Sequence, residues 1–132
     1  MVPGPDERYP TVTELEAYVT QFTAKPGERT SSGALPRVGS GTLQDPTTLA
    51  VAGMNLTSQG NPHEPTVIPY GTLVFIEGYG WALVQSLCGA CTPGNRHFNL
   101  PPGADIRVDL FGTQHLGNRR ITIYGFTSQG GP

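Results

Sequence analysis

A chain of 132 residues is long enough for one domain with a single hydrophobic core. It contains 18 Gly, 13 Pro and few charged residues, a composition that disfavours helices and predicts an all-β domain of short strands joined by turns. The net charge of -2 and the scattered basic residues exclude the basic stripe that binds phosphates, so no nucleic-acid partner is expected.

The two ends of the chain are predicted to lie outside the folded domain. Residues 1–12 are polar, contain three Pro and have no periodicity, which predicts an N-terminal arm over residues 1–14. The domain is then expected over residues 15–126 and a tail over residues 127–132. No signal peptide is predicted, because the N-terminal sequence lacks a basic segment followed by an apolar run. No membrane span is predicted either, because no stretch approaches the about 20 apolar residues that cross a bilayer. Localisation is left open, and a virion-associated or an extracellular protein is compatible with this pattern.

Alternating polar and apolar residues, or a short apolar run, predict strands in six segments. These segments are residues 16–24, 48–54, 72–77, 81–87, 105–111 and 119–126. Gly78-Tyr79-Gly80 separates the third from the fourth, and its glycines permit the positive φ of a tight hairpin turn. Two long loops rich in Gly, Ser and Pro lie between the segments. We therefore expect a small closed or nearly closed barrel of six to seven strands with long loops.

Cys88 and Cys91 form a C-x-x-C pair. Such a pair is typical of a redox couple or disulfide, of two free thiols, or of half a zinc site. For a zinc site, His97 and His115 are the nearby residues of the right type to complete the ligands. Because the histidine spacing fits no zinc pattern, paired or free cysteines are favoured, and no metal or other cofactor is predicted.

Six short motifs occur in a characteristic order: FTA, TSSG, IPYGT, GYGWALVQ, VDLF and GNRRITIY. Together they resemble the 3D domain, named for three aspartates and found in bacterial cell-wall enzymes such as the lytic transglycosylase A family and the stationary-phase and resuscitation proteins. The resemblance covers about residues 20 to 125. It implies a double-psi β-barrel.

One of the three family aspartates is retained in this sequence. Asp109, in Val-Asp-Leu-Phe, matches the third one. Ser86 stands at the position of the second, and either Ala52 or Asp45 at that of the first, with Ala52 favoured. In the family, a carboxylic acid protonates the glycosidic oxygen and then, as carboxylate, takes the proton of the sugar hydroxyl that closes an anhydro ring. The resemblance implies this role for Asp109.

Asp109 and the candidate substrate-binding residues each have an alternative interpretation. Asp109 is alternatively a rim acid paired with Arg107 or Arg119. Substrate-binding candidates are Ser86, Tyr79, Trp81 and Arg119. The rings of Tyr79 and Trp81 suit stacking on a pyranose, although core or hairpin packing is the favoured interpretation.

Two functions follow from these residues. Loss of two carboxylates removes charge that stabilises an oxocarbenium-like state, roughly a few kcal/mol or ~10²-fold in rate. The expected function is therefore a catalytically degenerate barrel that acts as a binding or structural assembly module, such as a virion or cell-surface subunit. Its expected partners are a peptidoglycan glycan strand or protein neighbours, with homo-oligomers among the expected forms. The alternative is a divergent peptidoglycan lytic transglycosylase that uses Asp109.

Overall fold

Residues 12–54 and 65–124 are described by a computed structural model. Six strands account for the regular structure in these ranges: β1 Val12–Phe22, β2 Thr47–Val51, β3 Leu73–Ile76, β4 Gly80–Leu87, β5 Ile106–Phe111 and β6 Gly117–Tyr124. One 3₁₀ turn, Gly89–Cys91, follows β4. This part of the chain is therefore all-β, as the composition predicted. It contains no helix that is long and apolar enough to cross a membrane.

The six strands close into a barrel in the order β1-β5-β2-β4-β3-β6, and β6 pairs with β1 to complete it. The pairs β1–β5 and β2–β4 are parallel, and the other four pairs are antiparallel. The prediction of a small closed all-β barrel is thus confirmed. Six strands with two parallel pairs are also compatible with double-psi topology.

Side chains that alternate along the strands fill the barrel. In β6, Ile121 and Ile123 point inward, while Asn118 and Arg120 are exposed. Each buried Val, Ile or Leu side chain contributes about 1.5–3 kcal/mol of hydrophobic stabilisation. The interior cluster consists of Ala17, Val19, Leu49, Val51, Ile68, Val74, Ile76, Ala82, Val84, Val108, Leu110, Leu116, Ile121 and Ile123.

Several strand ends differ from the predicted ones. β1 begins at Val12, inside the segment predicted as the arm, because residues 12–19 pair with β6. Its first half is hard to recognise in the sequence, since Glu14 and Glu16 face outward and pair with Arg120. β2 ends at Val51, three residues early. The rest of the predicted arm and the predicted tail lie outside the described residues.

The predicted hairpin is confirmed. β3 and β4 pair antiparallel from Leu73↔Leu83 to Ile76↔Gly80. Gly78 and Gly80 both have positive φ, 81° and 133°. The turn is tied to the long loop between β1 and β2, because the amide of Trp81 donates to the carbonyl oxygen of Gly41 over 2.7 Å.

Candidate functional site

Four residues form one transverse row across four neighbouring strands. Asp109 on β5 is in register with Thr20 on β1 and with Ala50 on β2, and Ala50 is in register with Ser86 on β4. A register shift between Leu49 and Ala50 sets this alignment. Since neighbouring strands lie about 4.8 Å apart, Asp109 and Ser86 are separated by about 10 Å across the sheet. The row therefore brings together two of the predicted site residues.

The Asp109 carboxyl is half-buried and touches protein atoms through both of its oxygens. Its Oδ1 is hydrogen-bonded to the Thr20 hydroxyl, which also lies 3.1 Å from the carbonyl oxygen of Val108. An ionised Asp109 accepts the Thr20 proton. A protonated Asp109 donates to Thr20, whose own proton then goes to the Val108 carbonyl. Both protonation states of Asp109 thus have a hydrogen-bond partner.

Burial raises the pKa of Asp109 to about 6, and the positive charge of Arg107 opposes this shift. The Arg107 guanidinium is held by the side chain of Asn99 at 2.9 Å and donates to the Thr20 hydroxyl over 3.4 Å. Near neutral pH, a carboxyl with this pKa is protonated in roughly a tenth of the molecules, and in the others it is a carboxylate that accepts a proton readily. It is therefore suited to acid and base steps at one position.

Cys88 and Cys91 form a disulfide beside Asp109. Both are buried and pack with Ala50 in a second, smaller apolar cluster. The Cys88 Sγ lies 3.3 Å from Asp109 Oδ2. A disulfide sulfur has no proton to donate, so in this state the contact helps to exclude water from the carboxyl rather than to stabilise its charge.

The side chains of Cys88, Cys91 and Asp109 also bring three potential metal-ligand atoms close together. Among the described residues, the Sγ atoms of Cys88 and Cys91 and a carboxylate oxygen of Asp109 lie within 4.8 Å of one another. His97 and His115, the histidines considered from the sequence, do not belong to this group. The histidine-containing zinc site is therefore not formed.

A shallow groove of about 200 Å³ adjoins the Ser86 end of the row, and we call it the Ser86 groove. Ser86 is buried, and its Oγ lies 3.4 Å from the Oγ of Ser31. The Ser31 hydroxyl also accepts the amide proton of Leu87 over 3.1 Å, which fixes the Thr30-Ser31-Ser32-Gly33 loop against β4. The groove is lined by Phe22, Thr23, Ala24, Glu28, Arg29, Thr30, Ser31, Pro36 and Ser86.

Trp81 lies at the opposite end of β4 from Ser86. Five residues along a strand correspond to about 16 Å, so the Trp81 ring is remote from the Asp109 row. It is 8 % exposed and packs against Phe75 and Tyr124, with ring centroids 5.3 and 5.2 Å away. These contacts agree with the packing interpretation. A substrate-binding role for Trp81 stays a prediction.

Tyr79 and Arg119 are both engaged in the hairpin region. The Tyr79 hydroxyl lies 2.6 Å from the hydroxyl of Thr47, and its ring packs against the barrel core. Arg119 donates to the carbonyl oxygens of Leu116 and Glu77, each over 3.2 Å. Arg119 thus braces the turn after β3. Their assignment as substrate-binding residues also stays a prediction.

The two positions that the sequence resemblance offers for the first aspartate, Ala52 and Asp45, place no acid near the Asp109 carboxyl. Ala52 packs against the cysteine cluster. Asp45 lies in an exposed turn, where it pairs with Arg37 and accepts the amide proton of Ser40 over 2.9 Å. The Ser40 amide is the main cause of the lowered pKa of Asp45. Asp45 therefore stabilises its own turn through Ser40 and Arg37.

Sequence reasoning did not single out Thr20, Phe22 and Ser31 as site residues. Each lies in a segment that resembles the 3D pattern, Thr20–Thr23 or Thr30–Gly33, and the resemblance indicates only a scaffold role for these segments. For Thr20 and Ser31, the available signal was the concentration of hydroxyl side chains in both segments. In the structure, these hydroxyls contact Asp109 and Ser86.

Comparisons of the chain with protein-family models, with curated proteins and with solved structures gave no match. The strand pairing and the side-chain contacts of the chain itself are therefore the basis for inferring its function. The most informative contacts are those of Asp109 with Thr20 and Cys88, and those of Ser86 with Ser31.

Proposed function

We propose that this chain is a catalytically degenerate 3D-type barrel, with double-psi topology, that binds a peptidoglycan-like glycan strand in the Ser86 groove. The observation that carries the proposal is the position of Ser86. It matches a family aspartate in the sequence, and it lines a groove rich in hydroxyl groups at the end of the Asp109 row. A hydroxyl at this position hydrogen-bonds a sugar but does not stabilise positive charge as a carboxylate does.

The chemistry of the groove supports a glycan ligand. Thr30, Ser31 and Ser86 supply hydroxyls that both donate and accept, as sugar hydroxyls and acetamido groups require. Arg29 supplies a cation that suits a sugar carboxylate, and Phe22 supplies an aromatic surface for the apolar face of a ring. The volume of about 200 Å³ is below the roughly 300 Å³ at which pockets for drug-sized ligands begin. One sugar unit at a time is the expected occupant.

The surroundings of Asp109 support the loss of efficient catalysis. Burial and the charge of Arg107 are the causes that set its pKa, and neither is a second carboxylate. Its row neighbours Ala50 and Ser86 are uncharged. Stabilisation of an oxocarbenium-like state by neighbouring acids, roughly a few kcal/mol, is therefore missing from this row.

Binding is tested by titrating the protein with N-acetylglucosamine oligomers and by sedimentation with insoluble peptidoglycan. The variant Phe22→Leu removes the aromatic surface in the groove, and Tyr70→Leu is the matched control at an exposed aromatic residue outside it. We expect saturable binding that Phe22→Leu weakens about tenfold, equivalent to about 1.4 kcal/mol, and that Tyr70→Leu leaves unchanged. No binding by the wild type, or equal effects of the two variants, would refute the glycan proposal.

An assembly role, in a virion or at a cell surface, is the second form of the binding proposal. It is supported by large apolar side chains that stay exposed, Val12 in β1 and Leu35, Val38, Met54 and Val67 in the loops. Light scattering at high protein concentration tests it. Homo-oligomers are the expected result, and a strict monomer would count against self-assembly.

A divergent lytic transglycosylase is the alternative function, and the raised pKa of Asp109 is the observation that favours it. A single carboxyl with a pKa of about 6 can carry out both proton transfers, first as the acid and then as the base. Muropeptide analysis of peptidoglycan incubated with wild type and Asp109→Asn, from about pH 4 to about pH 8, tests this function. Anhydro-muropeptides that appear with wild type and vanish with Asp109→Asn would establish it. No release by the wild type would exclude it while leaving glycan binding intact.

A further inference from the structure

Cys88, Cys91 and Asp109 place two sulfur atoms and a carboxylate together in one partly buried cluster. We propose that, once the disulfide is reduced, these three side chains bind a Zn²⁺ ion through two thiolates and one carboxylate oxygen. This site goes beyond the proposed glycan binding and does not depend on it. It also differs from the histidine-containing site considered from the sequence.

The distances in the cluster suit a tetrahedral zinc ion. Zn–S and Zn–O bonds of about 2.3 and 2.0 Å place a sulfur and an oxygen ligand about 3.5 Å apart. The Cys88 Sγ and the Asp109 Oδ2 are 3.3 Å apart. Two thiolates on one zinc ion are separated by about 3.8 Å, so the sulfur atoms need only move apart after reduction. The C-x-x-C spacing is the one that zinc sites commonly use.

The backbone holds the ligand-bearing segments in place. The Cys88 amide donates to the carbonyl oxygen of Val51 over 2.7 Å, which fixes Cys88 beside the end of β2. The buried Thr92 hydroxyl donates to the Cys88 carbonyl over 3.2 Å, so the turn that carries Cys91 is braced from its far side. Asp109 lies within β5, paired on both sides. The ligands therefore come from rigid elements, which lowers the cost of assembling the site.

A cavity borders the cluster on the side of Cys91. It measures about 230 Å³, and Cys91 is part of its wall together with apolar residues such as Val51, Ile68 and Phe98. The cavity therefore borders the cluster at Cys91, and it is the expected route for a small reductant and a metal ion. With three protein ligands, the tetrahedral ion keeps one position for water or for a ligand atom of a bound molecule.

The metal site exists in only one redox state of the protein. A dithiol reductant transfers two electrons and two protons, so the S–S bond breaks, two thiols form and the reductant becomes a disulfide. Binding of Zn²⁺ then displaces the two thiol protons, because thiolates are the ligands. Oxidation reforms the disulfide and releases the ion. Asp109 is free for proton transfer in the oxidised state and is a ligand in the reduced state.

Co²⁺ titration tests the site directly, because thiolate ligands give a charge-transfer absorption that Zn²⁺ abolishes by displacement. The protein is reduced with a phosphine, which is then removed in the absence of oxygen, and an oxidised sample is titrated in parallel. We expect one Co²⁺ per chain, with thiolate charge transfer, in the reduced wild type and none in the oxidised protein. A reduced wild type that binds no Co²⁺ would overturn the proposal.

Variants identify the ligands. Asp109→Asn replaces the anionic carboxylate ligand with a neutral amide oxygen, which binds Zn²⁺ and Co²⁺ weakly, and is expected to weaken metal binding by at least about tenfold. Asp105→Asn is the matched control, since Asp105 precedes the same strand but accepts the amide proton of Glu16 instead. Cys88→Ser is expected to lose most of the charge-transfer intensity. Equal affinity and spectra for Asp109→Asn and wild type would remove Asp109 from the site. Should Cys88→Ser fail to fold, the reduced and oxidised wild-type titrations still decide the proposal.

Discussion

At the scale of single residues, Asp109 is a carboxyl group whose pKa the fold raises. Its carboxyl is half-buried beside the Cys88–Cys91 disulfide, and burial raises its pKa from 3.8 to about 6. A raised folded-state pKa means that the native protein binds this proton more tightly than the unfolded chain does. The contribution of Asp109 to stability is therefore most favourable below about pH 4 and declines as the pH rises to about 6.

Replacement of Asp109 by Asn removes this pH dependence. A shift of about two pKa units corresponds to about 3 kcal/mol, so the wild type is expected to lose up to that amount relative to Asp109→Asn between about pH 4 and pH 7. Urea unfolding of both proteins at the two pH values measures the difference. Parallel stability curves for the two proteins would show that Asp109 does not carry a raised pKa.

At the scale of strands and turns, some features were predictable from local pattern and others were not. The β3–β4 hairpin was predictable, because Gly78 and Gly80 flank a single residue between two alternating segments. The Asp109 row was not. It depends on pairing between β2 and β5, which are far apart in the chain, and on the register shift after Leu49. Nothing in a single strand encodes which residue of another strand lies opposite it.

Because register between distant strands is not encoded in either strand alone, only part of the candidate site was predictable from the sequence. Asp109 and Ser86 were identified through the resemblance to the 3D pattern, whereas the Thr20 contact requires the parallel pairing of β1 with β5. Trp81 is the opposite case, a residue whose type suggests a binding role but whose contacts in the structure are packing contacts. Its aromatic ring suggests a binding platform, but cross-strand pairing with Phe75 directs it into a packed aromatic cluster. Residue type alone does not distinguish these two uses of an aromatic ring.

Gly80 joins the hairpin to the loop that contains Gly41, and substitution tests this connection. A Cβ at Gly80 would overlap the carbonyl oxygen of Gly41, and its φ is 133°. Gly71 also has positive φ, 92°, but a Cβ there would meet no atom within 4 Å. Gly71→Ala is expected to cost about 1 kcal/mol from backbone strain alone, and Gly80→Ala at least about 3 kcal/mol.

Chemical denaturation of the two glycine variants separates steric overlap from strain. A larger loss of unfolding free energy for Gly80→Ala indicates that close contact with Gly41 holds the loop against the turn. Equal losses for Gly80→Ala and Gly71→Ala would mean that the loop moves aside at no cost.

At the scale of the whole molecule, the fold is organised by closure of the six strands into a barrel. β1 pairs with both β5 and β6, so strands from the beginning and the end of the described chain lie side by side. The main core cluster lies inside this closed sheet, and the two cysteines belong to a separate small cluster with Ala50. Reduction of the disulfide therefore affects the edge of the apolar interior rather than its centre.

Reduction is expected to leave a cooperatively folded barrel that is moderately less stable. The disulfide links residues only three apart, and closing a loop of about four residues restricts the unfolded chain by about 2 kcal/mol. For a domain of this size, that loss lowers Tm by roughly 5–10 °C. Thermal unfolding with and without reductant measures the change, and the double variant Cys88→Ala, Cys91→Ala should unfold near the temperature of the reduced wild type whether or not reductant is present. A reduced wild type without a cooperative transition would mean that the disulfide holds the barrel together, and that no folded reduced state exists to bind a metal ion.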